Sequence, residues 1–280
     1  MVMMAKDDFL TENKVKRMLR LGEVVYGPIL QALSSVTMIR LLARAGFDFV
    51  YLDMEHGPFD YESLAELCPV CVDVGLIPIV RPPSQQPYQL ARILDCGAMG
   101  LLVPHVESVE QADSILKSIK YHPLGQRGYS SQGAHTAYQK LPTRKYMDWA
   151  NQEILVGFLI ESMKGVQQLD EILSKPGVDW IVIGRGDLSQ DMGIPGEINS
   201  PAIQATVEAC FQICRRRKIP FGILVSDHES ALHWIKQGAQ MINYGSDITI
   251  FTDLLKSDLD QLRLASDSLV RSMPKEKIIS

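Results

Sequence analysis

The chain is poor in whatever would tie it to nucleic acid, to a membrane or to an oxidising compartment. Its 280 residues carry 28 Lys and Arg against 33 Asp and Glu, a net charge of −5, so the basic footprint of a nucleic-acid binder is missing. No stretch approaches the ~18 uninterrupted apolar residues of a membrane span. The opening MVMMAKDDFL has neither a long apolar core nor a small-residue cleavage pattern and does not read as a secretory signal. A soluble, cytoplasmic protein is the expectation. Cysteines number five, an odd count at no disulfide-framework spacing. CPVC, from Cys68 to Cys71, is half of a zinc or redox motif, and a structural zinc needs four ligands. Cys96, Cys210 and Cys214 lie in apolar helical patterns. All five are expected to be reduced, buried, small hydrophobes.

What is present is alternation. Short apolar runs at 24–30, 47–55, 76–83, 98–106, 153–162, 178–184, 221–227 and 240–247 are each followed by a stretch of helical period. Eight strand candidates alternating with eight helix candidates imply a parallel sheet. The runs are nearly all apolar, as strands buried on both faces must be. Gly46, Gly75, Gly97 and Gly238 stand where left-handed helix caps would be. The predicted fold is α/β, one (β/α)8 barrel domain over 1–280, with an N-terminal extension over 1–20 and a frayed tail over about 270–280. A doubly wound sheet is the competitor. No G-x-G-x-x-G follows the first strand, which weakens it.

Barrels of this kind place their sites at the C-terminal ends of the strands. Those ends carry Asp53, Glu55 and His56, then Arg81, His105, Glu161, Asp187 and Asp227. Glu161 and Asp187 are hard oxygen donors suited to Mg2+ or Mn2+; rim salt bridges are their plainer alternative role. His56 beside Asp53 reads as a base with an orienting carboxylate. Arg81 could clamp a carboxylate or stabilise a developing enolate. GRGDLSQDMG places Gly184 and Gly186 around Arg185, where backbone N–H groups could approach an anion. No strand end offers a Schiff-base lysine, which points away from imine chemistry and toward a metal enolate. The connection over 121–152 has little periodicity and is expected to be a lid, a binding loop or an oligomer contact. RRRK at 215–218 reads as the solvated end of a helix.

The motifs DMEHGPFD, PIVRPP, LLVPHVES, GQRGYSS, LIES, GRGDLSQDMG and the GILV strand, spread from about Tyr26 to Thr252, together resemble the metal-dependent pyruvate aldolases. That family includes the 4-hydroxy-2-oxoheptanedioate and 2-dehydro-3-deoxyglucarate aldolases. The resemblance implies a barrel whose last helix is exchanged between subunits of a homo-oligomer, usually a hexamer. It implies a divalent cation (Mg2+ or Mn2+, with Co2+ an option) held by Glu161 and Asp187 and chelated by pyruvate. It implies Arg81 on the keto oxygen, Asp53 and His56 as an acid/base dyad acting through water, and the backbone from Gly184 through Arg185 and Gly186 to Asp187 on the carboxylate. Arg127 and Leu224 would also touch substrate. The implied reaction is cleavage of a 4-hydroxy-2-oxo acid to pyruvate and an aldehyde.

Three positions depart from the family pattern. Leu159 stands where the family has Gln, Arg185 where it has Pro, and His105 where an apolar residue is common. Relatives of this barrel also decarboxylate or condense oxaloacetate, in the manner of macrophomate synthase or a citrate synthase. That is the alternative reading, and the added cation at Arg185 and the imidazole at His105 suit it.

Overall fold

The computed structural model describes residue 10 and residues 12–272, with the side chains of 271 and 272 excepted. The expected frayed tail, and the first part of the N-terminal extension, fall largely outside the described residues. Eight strands follow one another: β1 (Val25–Leu30), β2 (Phe49–Asp53), β3 (Ile77–Arg81), β4 (Gly100–Val103), β5 (Leu155–Ile160), β6 (Trp180–Ile183), β7 (Phe221–Val225) and β8 (Met241–Ser246). Each pairs in parallel with the next, and β8 closes onto β1. The barrel is thus as the apolar alternation predicts, and every strand falls within its expected run.

The helices in chain order are α1 (Lys14–Arg20), α2 (Val36–Ala45), α3 (Tyr61–Asp73), α4 (Pro87–Asp95), α5 (Val109–Ile119), α6 (Thr143–Glu153), α7 (Met163–Ile172), α8 (Arg185–Asp191), α9 (Pro201–Arg217), α10 (His228–Gln237) and α11 (Asp247–Ser272). At the strand-to-helix turns Ser35, Asp60, Ser108, Ser162 and Asp227 each accept an N–H of the helix they open. A side-chain acceptor there satisfies one of the donors that the first turn leaves orphaned. At the other end α2 and α10 stop on Gly46 and Gly238 with φ of 93° and 110°, the left-handed conformation glycine adopts without a Cβ penalty.

Two apolar layers result. Val25, Phe49, Ile77, Leu155, Trp180 and Met241 fill the barrel interior. A larger outer layer, with Leu64, Leu90, Ile115, Leu169, Val207 and all five cysteines, lies between strands and helices. The cysteines are free and buried, and burial pushes the Cys68, Cys71, Cys96, Cys210 and Cys214 thiols up. α1 closes the N-terminal end of the barrel, burying Val15 and Leu19 and seating Lys16 on the Ile154 carbonyl at 3.2 Å and on Asp179 at 3.0 Å.

Strict alternation of eight helices is corrected in two places. The segment 121–152 is partly ordered: it holds a 3-10 turn (Ala134–Thr136) and α6. Tyr146 and Ala150 are the only buried positions of α6, too few for a period to show. GRGDLSQD is the helix α8 rather than an open glycine loop. The segment also leaves α5 at the N-terminal face of the barrel, so it cannot act as a lid over this chain's own strand C-termini.

Candidate active site

The C-terminal ends of β2, β3, β4 and β5 converge on one charged network. Asp53 is fully buried at the end of β2. Arg81, paired with it in register at the end of β3, donates Nε to Oδ1 at 2.8 Å and Nη2 to Oδ2. Gln31 Nε2 donates to Oδ2 at 2.8 Å. The backbone N–H groups of Glu55 and His56 reach Oδ1 at 3.1 and 3.3 Å. Burial pushes the Asp53 carboxyl up, but the Arg81 hydrogen bonds and charge, helped by Gln31, hold it below the usual carboxylate value.

From Arg81 the network continues outward. Its Nε also lies 3.2 Å from Glu55 Oε2. Glu55 Oε1 meets His105 Nε2 at 3.0 Å. His105 then spans to Glu161: its backbone N–H donates to Oε1 at 2.8 Å, and its Nδ1 lies 3.0 Å from the same oxygen. His105 holds this bridge from φ 57°, a left-handed conformation uncommon for residues other than glycine, though histidine is among those that enter it more readily.

Glu161 is 5% exposed. Burial pushes its carboxyl up to about 7; His105 opposes the rise, and the charges of Glu55 and Asp187 add to it. Asp187 stands on the first turn of α8 and is exposed. Gly184, just before that helix, makes room: a Cβ there would stand 2.7 Å from Glu161 Oε2 and 2.9 Å from Glu161 Cβ. A buried acid with a raised pKa, a second acid facing it and a cradle kept open by glycine fit a divalent cation with oxygen preference. Among the described residues no three His, Cys, Asp or Glu side chains form a ready-made cage.

The sequence-predicted residues are distributed unevenly. Asp53 and Arg81 pair directly, and Glu161 joins them through Glu55 and His105. Leu224 points its side chain to the mouth, 43% exposed between the buried Ile223 and Val225. Two expectations are corrected. Asp53 does not orient the His56 ring; its carboxylate is taken by Arg81 and Gln31, and the exposed His56 ring instead lies 3.9 Å from Glu55 Oε2. Arg185 stays at the strand ends but spends its guanidinium on the Leu224 carbonyl of β7, at 2.7 Å, and on Asn199, at 3.2 Å. Arg127 is at the opposite end of the chain's own barrel, buried against Asp95 at 2.6 Å and over the Tyr121 ring, because it follows α5 rather than a strand.

Sequence reasoning also left members unassigned. Gln31 immediately follows β1, and Asp247 immediately follows β8. The Asp247 carboxylate accepts the N–H groups of Gln31, Ala32 and Leu33 at 3.0, 3.0 and 2.7 Å. It therefore fixes the loop from which Gln31 reaches Asp53. The strand-end rule that found the other rim residues finds these two when applied to the first and last strands. Glu55 was visible at its strand end, but its pairing with His105 depends on the turn after β4.

Residues 30–253 match the model of the HpcH/HpaI aldolase/citrate lyase family. The chain is 34% identical over 241 residues to a 4-hydroxy-2-oxo-heptane-1,7-dioate aldolase of Escherichia coli, covering 85% of this chain and 90% of that one. It is 31% identical over 269 residues to a 2-keto-3-deoxy-L-rhamnonate aldolase of Salmonella schwarzengrund, covering 96% and 98%. Among solved structures it is similar to the citrate synthase SbnG, with a TM-score of 0.82 at 31% identity over 90% of this chain and 98% of that one.

Proposed function

Because the chain belongs to the HpcH/HpaI aldolase/citrate lyase family, we propose that it is a carbon–carbon lyase cleaving 4-hydroxy-2-oxo acids to pyruvate and an aldehyde. The observation that carries this reading is the unbroken line of contacts from Asp53 through Arg81, Glu55 and His105 to Glu161. Glu161 and Asp187 would hold a Mg2+ or Mn2+ ion, which when bound withdraws electrons from the keto group of a 2-oxo acid.

The protein's own groups do the rest. Arg81 commits Nε and Nη2 to Asp53 and Glu55, which leaves Nη1 to meet a keto oxygen as it gains charge. Asp53 keeps that guanidinium in place and charged: burial pulls the Arg81 pKa down, and Asp53 more than reverses it. His56, exposed at the mouth and near Glu55, would accept the 4-hydroxyl proton through a water. The C3–C4 bond then breaks, its electron pair moves onto the three-carbon fragment as an enolate, and return of a proton to C3 gives pyruvate. Leu224 supplies an apolar wall for the departing aldehyde. The backbone from Gly184 to Asp187 would hold the substrate carboxylate, and the enzyme would work as a homo-oligomer through α11.

A second reading, decarboxylation or condensation of oxaloacetate on the same groups, is supported by the likeness to the citrate synthase SbnG. Pyruvate release coupled to lactate dehydrogenase distinguishes the two. Metal-stripped protein is expected to be inactive on 4-hydroxy-2-oxo acids and to recover with Mg2+ or Mn2+. Turnover of oxaloacetate alone would establish the second reading, and full metal-dependent activity in Glu161→Ala would overturn the metal assignment.

A further inference from the structure

The RRRK run divides at the end of α9. Arg216 and Arg217 turn to Asp170 on α7, at 3.6 and 2.7 Å. Arg215 and Lys218 turn the other way, into a cavity of about 640 Å3 at the N-terminal face of the barrel. α1 brings Lys16 and Arg20 to the same cavity, and Asp179 is the one acid among its lining residues. That acid is already committed: its carboxylate takes Lys16 Nζ at 3.0 Å and the Val156 N–H at 2.8 Å. Arg20, Arg215 and Lys218 are exposed and have no carboxylate partner among the described residues. A chain of net charge −5 thus collects three unpaired cations around one concavity.

Two further observations separate this from an ordinary solvated helix end. Lys218 caps α9 at φ 57°, a left-handed position where glycine is the unstrained choice. Retaining a lysine there sets a cation at the rim against backbone preference. The buried Lys120 adjoins the same charges: its Nζ and that of Lys16 both donate to the Ile154 carbonyl, at 3.1 and 3.2 Å. Helix dipoles account for about half a charge of attraction per terminus, less than the cations assembled.

We propose that this cavity is a binding site for a phosphorylated small molecule, seated by Arg20, Arg215 and Lys218 with the ammonium of Lys16 at its floor. Arginine forks and lysine point charges are the side chains that match phosphate oxygens, and the volume admits more than one phosphate group. The site lies at the opposite end of the barrel from Glu161 and Arg81, so it is independent of the lyase reaction.

Calorimetric titration of the full-length, metal-stripped protein at physiological ionic strength tests this, with inorganic pyrophosphate in one arm and ADP in another. Saturable binding of at least one is expected. The surface variants Arg20→Glu and Arg215→Glu should each weaken it about tenfold or more while leaving pyruvate release at the parent rate. Lys218→Gly should bind more weakly yet melt higher, which separates a ligand role from a structural one. Tighter binding of ADP than of pyrophosphate would identify a nucleotide, and equal binding the diphosphate group itself. Absence of saturable heat in both arms, or parent-like affinity in both charge-reversed variants, overturns the proposal whatever the lyase assay shows.

Discussion

Glu161 is a carboxyl that the free protein holds at a cost and a bound cation would release from it. It is buried beside two other acids, Glu55 and Asp187, and its pKa rises from 4.5 to about 7. The sign of the consequence follows from proton linkage. Between those values the metal-free native state keeps a proton that the unfolded chain has lost, so this residue makes stability fall as pH rises from about 4.5 to 7. Asp53 acts oppositely, since its lowered pKa adds stability that is lost only as pH falls through the acidic range. Comparing parent with Glu161→Gln isolates the first effect. Urea midpoints of metal-stripped protein should decline with pH in the parent relative to the variant, and Mn2+ affinity of the parent should climb over the same interval. Parallel stability profiles for the two proteins would mean that Glu161 is not the proton-binding group.

Elements place these residues, and the short helix α8 shows how narrowly. Gly184 and Gly186 look alike in the sequence, yet they differ in what surrounds them. A methyl at Gly184 would meet both the carboxylate and the Cβ of Glu161, whereas nothing lies within 4 Å of one at Gly186. Gly184→Ala should therefore keep the fold and weaken Mn2+ binding by about tenfold or more, because the carboxylate must move to admit the methyl. Gly186→Ala should bind near the parent level, as would be read by electron paramagnetic resonance of free Mn2+. Equal binding by the two variants would show that Gly184 is not the cradle. The same contrast marks what was legible in the sequence. Strand runs were legible because both strand faces are apolar, and the rim residues because strand ends share one face of a barrel. Side-chain direction was not. Asp53 is only three positions from His56 in sequence, but β-sheet register sets it beside Arg81. Arg127 sits in a loop that leaves a helix end, and only the chain's path assigns that loop to the far face. Arg185 follows β6, but its guanidinium crosses to the Leu224 carbonyl of β7 and to Asn199, partners far from it in sequence.

The whole molecule leaves one helix without a seat. α11 runs for 26 residues and exposes Ile248, Phe251, Leu254, Leu255, Leu259 and Leu262 along its length, with Phe251 at 57% and Leu262 at 66%. A stripe of this size on a helix is normally buried against another element. The complementary surface lies on the same chain: in a closed barrel an eighth helix would pack between α10 and α2, and there Leu232, Leu41 and the outward-facing Tyr26 of β1 stay 55%, 54% and 40% exposed. Donor and acceptor surfaces left apart within this chain can meet between two, by exchange of α11. The expected result is an oligomer of even order by light scattering on a sizing column. Phe251→Asp combined with Leu262→Asp should shift it to smaller, less stable species, since each change sets a charge in an apolar contact. Lyase activity should fall with assembly, because Asp247, which opens α11, also fixes Gln31 and through it Asp53. A parent chain that elutes as a monomer, with α11 resistant to proteolysis, would instead mean that the helix folds back onto its own barrel.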